Sequence, residues 1–184
     1  MSSSSQNKIQ SADELNQHYS AEDPWEYESN PHDAVRIQRF KRLIAGRRFR
    51  RALDIGCGNG FLTREIPAAE VMGIDLSTAA IEIARSKLPD PRFQFDSLSV
   101  FDAHSRTLGQ FDLVVITGVL YPQYIGGAYR LIDANLRSLL CPGGRLIHCH
   151  IFEWLRYTPT LNLLSRETYQ YRDYTHVLEE RVAE

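Results

Sequence analysis

The sequence predicts an α/β fold in which a mostly parallel sheet is doubly wound, with helices on both faces. Three observations predict it. Five short apolar runs, ALDIG, EVMGID, RFQF, FDLVVIT and RLIHCHI, are separated by more polar, helix-compatible segments. The runs are continuously apolar rather than alternating, as in strands covered on both faces. A turn with alternate glycines, DIGCGNG, begins in the first run.

Composition fits one such domain. The 184 residues are 43% hydrophobic and 24% charged, enough apolar material for a single core over residues 13–184. Residues 1–12 open on a serine tract with little apolar surface to offset the entropy of ordering, and read as a flexible arm. The formal net charge of -2 gives no overall field for nucleic acid or an anionic membrane, so neither is an expected partner. The three cysteines, Cys57, Cys141 and Cys149, show no CxxC spacing, which argues against a disulfide framework or a structural zinc site and for a reducing cytoplasm. No apolar run approaches the roughly 18 residues of a membrane span, and the N-terminus carries no long apolar signal core.

Taken in order, residues 13–46 form a helical lid and 47–184 the core. Asp13 to Ser20 is weakly helical, and Pro24 and Pro31 then break the chain. In AVRIQRFKRLIAG, Val35, Ile37, Phe40, Leu43 and Ile44 fall on one helical face, and Gly46 ends it. Within the core, helices are expected at Gly60 to Ile66, at Ser77 to Leu88 with Ser77 as N-cap, and at Ala128 to Leu140 before Pro142. ETYQYRDYTHVLEERV has the alternation of one long edge strand. The C-terminal end is therefore abbreviated, without room for a final helix and hairpin.

The chemistry concentrates at strand ends. In a doubly wound sheet a ligand sits beyond the carboxyl ends of the strands, where their order reverses. Alternate glycines let the backbone turn sharply and approach that ligand. Asp75, ending the second run in VMGID, can accept hydrogen bonds from both hydroxyls of a ribose. A dinucleotide site spaces its glycines GxGxxG around a pyrophosphate. Here the spacing is GxGxG, and Asp54 stands directly before it, where it would repel a pyrophosphate and suit an ammonium. The ligand implied is a nucleoside with a cationic, amino-acid-like tail.

LDIGCGNG, GIDLS, and FDLVVITGVLY followed by LLCPGGRLI resemble class I S-adenosylmethionine-dependent methyltransferases over roughly Tyr19 to Ile151. The resemblance implies a Rossmann-like fold and S-adenosylmethionine as cofactor. It implies cofactor contacts from Asp54, Gly56, Cys57, Gly58, Gly60, Phe61 and Leu62 in the first motif, and from Asp75, Leu76 and Ser77 in the second. Thr117, Gly118 and Val119, after the fourth strand, join them. DPWEYESNP and GVLY are further similar to the nodulation protein S type of small N-methyltransferases and related glycan-modifying enzymes. That likeness makes Tyr19, Trp25 and Tyr27 lid aromatics and brings Arg36 toward the cofactor carboxylate. The adenine position departs from the common acidic pattern: Leu98 and Ser99 stand where the base belongs, with Asp96 and Asp102 as acidic alternatives.

Methyl transfer needs a positioned nucleophile, and a hydroxyl acceptor also needs a base. His150, near the end of RLIHCHI, and Tyr121 are the catalytic candidates, with Glu153 nearby. Cys57 is explained by crowding in the glycine turn, and a covalent intermediate is rejected. The expected activity is methylation of a nitrogen or oxygen on a small polar acceptor, such as a sugar or glycan-type substrate. A cofactor-binding regulatory or scaffolding module and a nicotinamide-dependent oxidoreductase are the competing readings. Oligomer formation is left open.

Overall fold

The computed structural model describes residues 9–21, 23–103 and 108–184; residues 1–8, which include the serine tract, and residues 22 and 104–107 lie outside it. Two helices come first, α1 (Ala12–His18) and α2 (Pro31–Leu43). The core follows as β1 (Phe49–Ile55), β2 (Ala68–Asp75), α3 (Thr78–Lys87), β3 (Phe93–Ser97), β4 (Phe111–Thr117), α4 (Pro122–Ile125), α5 (Tyr129–Leu139), β5 (Leu140–Ile151), β6 (Asn162–Tyr171) and β7 (Tyr174–Val182). The seven strands run β3-β2-β1-β4-β5-β7-β6, the first five parallel and β7 antiparallel to both neighbours. The order reverses between β1 and β4. This is the mostly parallel, Rossmann-like sheet expected.

Strand periodicity divides the core in two. Leu53, Val114, Ile116 and Leu146 pack under Ile132, Leu136 and Leu139 of α5. Ala52, Val71, Leu113, Val115 and Ile147 face the other way, under Phe40 and Ile44 at the end of α2. Local signals place the helices. Asn30 caps α2 by accepting from the His32 N–H at 2.9 Å, and Pro31 occupies the first turn, where its missing N–H costs nothing. Ser77 caps α3 through the Ala80 N–H.

Gly73 shows how tightly the sheet is covered. A Cβ there would lie 2.6 Å from a Phe95 ring carbon and 3.0 Å from Cys57 Sγ. Gly73→Ala is expected to destabilise the fold by about 1–3 kcal/mol through overpacking. Equilibrium urea unfolding checks this, and adding Phe95→Leu should restore part of the loss.

Two elements differ from expectation. Between β1 and β2 there is no α-helix over 60–66, only a 3-10 turn at Thr63–Glu65, because the segment is short and Pro67 prevents continuation. ETYQYRDYTHVLEERV is not one strand. It folds back at Arg172, a non-glycine residue at φ 52, into the β6–β7 hairpin. The abbreviation lies instead between β5 and β6, where residues 152–161 form a turn and irregular chain in place of a helix. The hairpin docks on α2 through the Arg39–Glu167 ion pair, and Arg39 lies 4.5 Å from the Tyr169 ring centroid.

The arm boundary also moves. Ser11 and Glu14 form a capping box that starts α1, and the Gln10 N–H donates to the Gln123 carbonyl at 2.8 Å. Among the described residues, no helix is long and apolar enough to cross a membrane.

Candidate functional site

A cleft of about 230 Å³ opens at the carboxyl ends of β1, β2 and β4, at the point where strand order reverses. Its floor is the turn after β1. Gly56, at φ 74, donates its N–H to the Ile74 carbonyl at 2.8 Å, which bends the chain across the end of β2. A Cβ at Gly56 would overlap Val119 Cγ2, so the approach of the two strand ends requires glycine.

Asp75 closes one end of the cleft. Its Oδ2 accepts from the Gly58 N–H and its Oδ1 from the Ser77 N–H, each at 2.9 Å. Burial pushes its carboxyl up, and those two bonds work against the shift. A carboxylate has about four lone-pair sites, so capacity remains for a diol. Leu76, Leu98 and Ser99 line the same end; neither Asp96 nor Asp102 does.

Arg36 reaches the cleft from α2. It is 9% exposed, its Nη2 pairs with Asp33 Oδ1 at 2.9 Å, and its Nε is buried without a hydrogen-bond partner. Tyr27 lies beneath the guanidinium, 4.9 Å from ring centroid to Cζ. Tyr19 and Trp25 join it in the wall, and the Trp25 Nε1–H donates to the Tyr19 hydroxyl at 3.3 Å. Thr117, Gly118 and Val119 complete the opposite side.

Other predicted residues support the cleft from behind. Asp54 is buried, and its Oδ2 accepts from Thr63 Oγ1 at 2.6 Å. Burial pushes its carboxyl up to about 6, the Thr63 bond opposing and the Asp75 charge adding. Gly58 and Ser77 act through the N–H groups that hold Asp75. Phe61 stacks on Tyr27 at 5.5 Å, Leu62 belongs to the core under α2, and Gly60 packs toward α3. Cys57 is buried against Phe95 with its thiol pushed well up by burial, which leaves it inert.

The two catalytic candidates are not brought to the cleft. His150 is fully buried, and its Nε2 accepts from the Leu120 N–H at 3.1 Å. Those partners assign its proton to Nδ1, which faces His148 Nδ1 at 3.4 Å, and His148 Nε2–H in turn meets Glu179 Oε2 at 2.9 Å. Burial, with the neighbouring His148, holds His150 well below the usual imidazole range. Its free lone pair is therefore already used. Tyr121 is buried as well, its hydroxyl accepting from the Ile151 N–H at 2.6 Å. Glu153 is spent on the Thr175 N–H.

Sequence reasoning missed Ile9, Gln10 and Leu15, which cover the cleft, and Tyr124, which lines it. The SADE capping box was the available signal for the first three. Tyr124 sits in a single helical turn opened by Pro122, too short to read in advance.

Comparison with known proteins agrees with this architecture. The chain is 31% identical to nodulation protein S of Rhizobium tropici over 139 residues, covering 72% of this chain and 57% of that protein. It is 32% identical to the ubiquinone biosynthesis O-methyltransferase of Azoarcus sp. over 134 residues, covering 66% of this chain and 56% of that protein. The chain thus spans a little over half the length of these curated relatives. The crystal structure of N-methyltransferase NodS from Bradyrhizobium japonicum WM9, in complex with S-adenosyl-l-homocysteine, superposes with a TM-score of 0.81 at 21% identity, covering 94% of this chain and 97% of that one. Residues 53–146, which run from β1 into β5, match the methyltransferase domain family, and the chain belongs to that family.

Proposed function

We propose that this protein transfers a methyl group from S-adenosylmethionine to the nitrogen of a small polar acceptor of the sugar or glycan-amine class. The observation that carries the reading is the pairing of two unsaturated anchors across one cleft. Asp75 keeps acceptor capacity for a ribose, and Arg36 keeps a buried, unpartnered Nε for a carboxylate. S-adenosylmethionine, when bound, supplies a methyl group already activated on a sulfonium.

Nitrogen is favoured over oxygen by what lines the cleft. Among the described lining residues there is no His, Cys, Lys or Glu, and the one carboxylate, Asp75, is held by two N–H bonds. A hydroxyl acceptor would find no base, whereas an amine need only arrive neutral. Tyr27 and Tyr124, both pushed above the usual phenol range by burial, stay protonated and can donate a hydrogen bond to orient the acceptor. The resemblance of DPWEYESNP and GVLY to small N-methyltransferases and related glycan-modifying enzymes supports a glycan-type acceptor. So does the aromatic group beyond β5, where partly exposed Trp154 lies 5.0 Å from Tyr174 and 5.6 Å from Tyr121, a surface on which a sugar ring can stack. The same lack of a cleft base supports a second reading, a cofactor-binding module without turnover.

Calorimetric titration separates the cofactor classes. S-adenosylhomocysteine is expected to bind and NAD is not; the reverse order would overturn the reading. Asp54 adds a pH signature. A cofactor ammonium favours its carboxylate form, so binding should weaken as pH falls through about 6 and Asp54 gains a proton. Asp54→Asn should flatten that profile, and an unaltered slope in the variant would remove Asp54 from the ammonium site.

A further inference from the structure

We propose that Asp33 and Tyr171 are positioning residues, which aim Arg36 at the carboxylate of the bound cofactor and thereby tie cofactor grip to the β6–β7 hairpin. The inference rests on the Arg36 assignment above. It starts from helix geometry: Asp33, Arg36 and Phe40 form the buried stripe of α2, with Asp33 and Arg36 one turn apart. Asp33 is completely buried, and its two oxygens face different neighbours. Oδ1 lies 2.9 Å from Arg36 Nη2 in an ion pair without hydrogen-bond alignment, and Oδ2 accepts from the Tyr171 hydroxyl at 2.9 Å.

Tyr171 is itself fixed. Its ring stacks on His176 at 3.9 Å with an interplanar angle of 7°. His176 Nδ1 lies 3.1 Å from the Tyr169 hydroxyl and 3.5 Å from Cys149 Sγ, which anchors the stack to β5. The chain of contacts runs from the central sheet through the hairpin to α2, and ends at the cleft on a guanidinium whose Nε has no partner.

Stability alone does not account for this arrangement. A buried ion pair gains little over a well-packed apolar pair, because desolvation offsets the attraction. A guanidinium offers five N–H donors in a rigid fork, so the charge attraction that holds Nη2 against Asp33 restricts where the remaining donors point. Without that hold, the long side chain would recover rotamer freedom that cofactor binding must then remove.

The test compares two probes in calorimetric titrations: S-adenosylhomocysteine, which carries the amino-acid tail, and 5′-methylthioadenosine, which lacks it. Tyr171→Phe and Asp33→Asn each remove one link with little change of shape. Each is expected to weaken S-adenosylhomocysteine by about 3- to 10-fold, the range for loss of one polar link, and to leave 5′-methylthioadenosine within about twofold. Equal weakening of both probes would show a merely structural role and overturn the proposal, as would no change in either. Arg36→Gln separates this failure from that of the underlying reading. If Arg36→Gln selectively loses S-adenosylhomocysteine while the other two variants do not, only the positioning role falls; if Arg36→Gln has no selective effect, the carboxylate assignment falls with it.

Discussion

Replacing Asp75 with alanine is expected to weaken S-adenosylhomocysteine binding by about 10- to 150-fold, corresponding to about 1.5–3 kcal/mol for hydrogen bonds to a charged acceptor. The carboxylate has two tasks in this structure. Its remaining lone pairs face the cleft, and its engaged ones hold the Gly58 and Ser77 N–H groups at 2.9 Å. Alanine removes both, so the glycine turn loses an anchor at the same time as the ribose loses its acceptor. Calorimetry on the folded variant checks the figure, with circular dichroism as the control for the fold. A dissociation constant equal to the wild type would remove Asp75 from the ribose site.

Gly56→Ala is expected to be the most damaging single methyl group in the cleft. Two costs combine there. The residue sits at φ 74, a left-handed conformation that costs an L-residue roughly 1–2 kcal/mol. The new Cβ would also overlap Val119 Cγ2, and such overpacking costs about 1–3 kcal/mol. Gly46→Ala isolates the first cost, since Gly46 shares the φ of 74 and has nothing within 4 Å of its virtual Cβ. Urea unfolding should therefore show Gly56→Ala less stable than Gly46→Ala by the packing component alone. Cofactor affinity should fall only for Gly56→Ala. Equal losses of stability in the two variants would mean that Val119 yields freely and the floor of the cleft is soft.

Much of the fold was legible because local and long-range signals agree. Apolar runs marked each of β1 to β5, Ser77 capped α3 as expected, and the order of strands and helices implied the doubly wound sheet. The failures have local physical causes. The turn between β6 and β7 uses Arg172 at φ 52, and with no glycine or proline to mark it, continuous alternation reads as a single strand. The segment after β1 contains good helix formers, but chain length and Pro67 decide against them.

The cleft was legible where backbone geometry defines it: Gly56 and Asp75 line it, and so does Arg36, to which only the family resemblance pointed. Strand period correctly placed His148 and His150 on one face, yet period carries no information about depth, and both proved fully buried. Only tertiary packing shows that His150 has spent its lone pair on Leu120. The pairing of Asp33 with Tyr171, far along the chain, needs the folded hairpin.

The central proposal is methyl transfer to an amine, with no protein base among the described residues that line the cleft. The most direct measurement is transfer from methyl-labelled S-adenosylmethionine to a panel of amino sugars and glycan amines, with the matching N-acetylated and hydroxyl-only compounds alongside, read by mass spectrometry. The account predicts label on amines alone, with turnover rising with pH as the acceptor amine loses its proton. Label on hydroxyl-only acceptors, or tight S-adenosylhomocysteine binding with no transfer to any member of the panel, would contradict it.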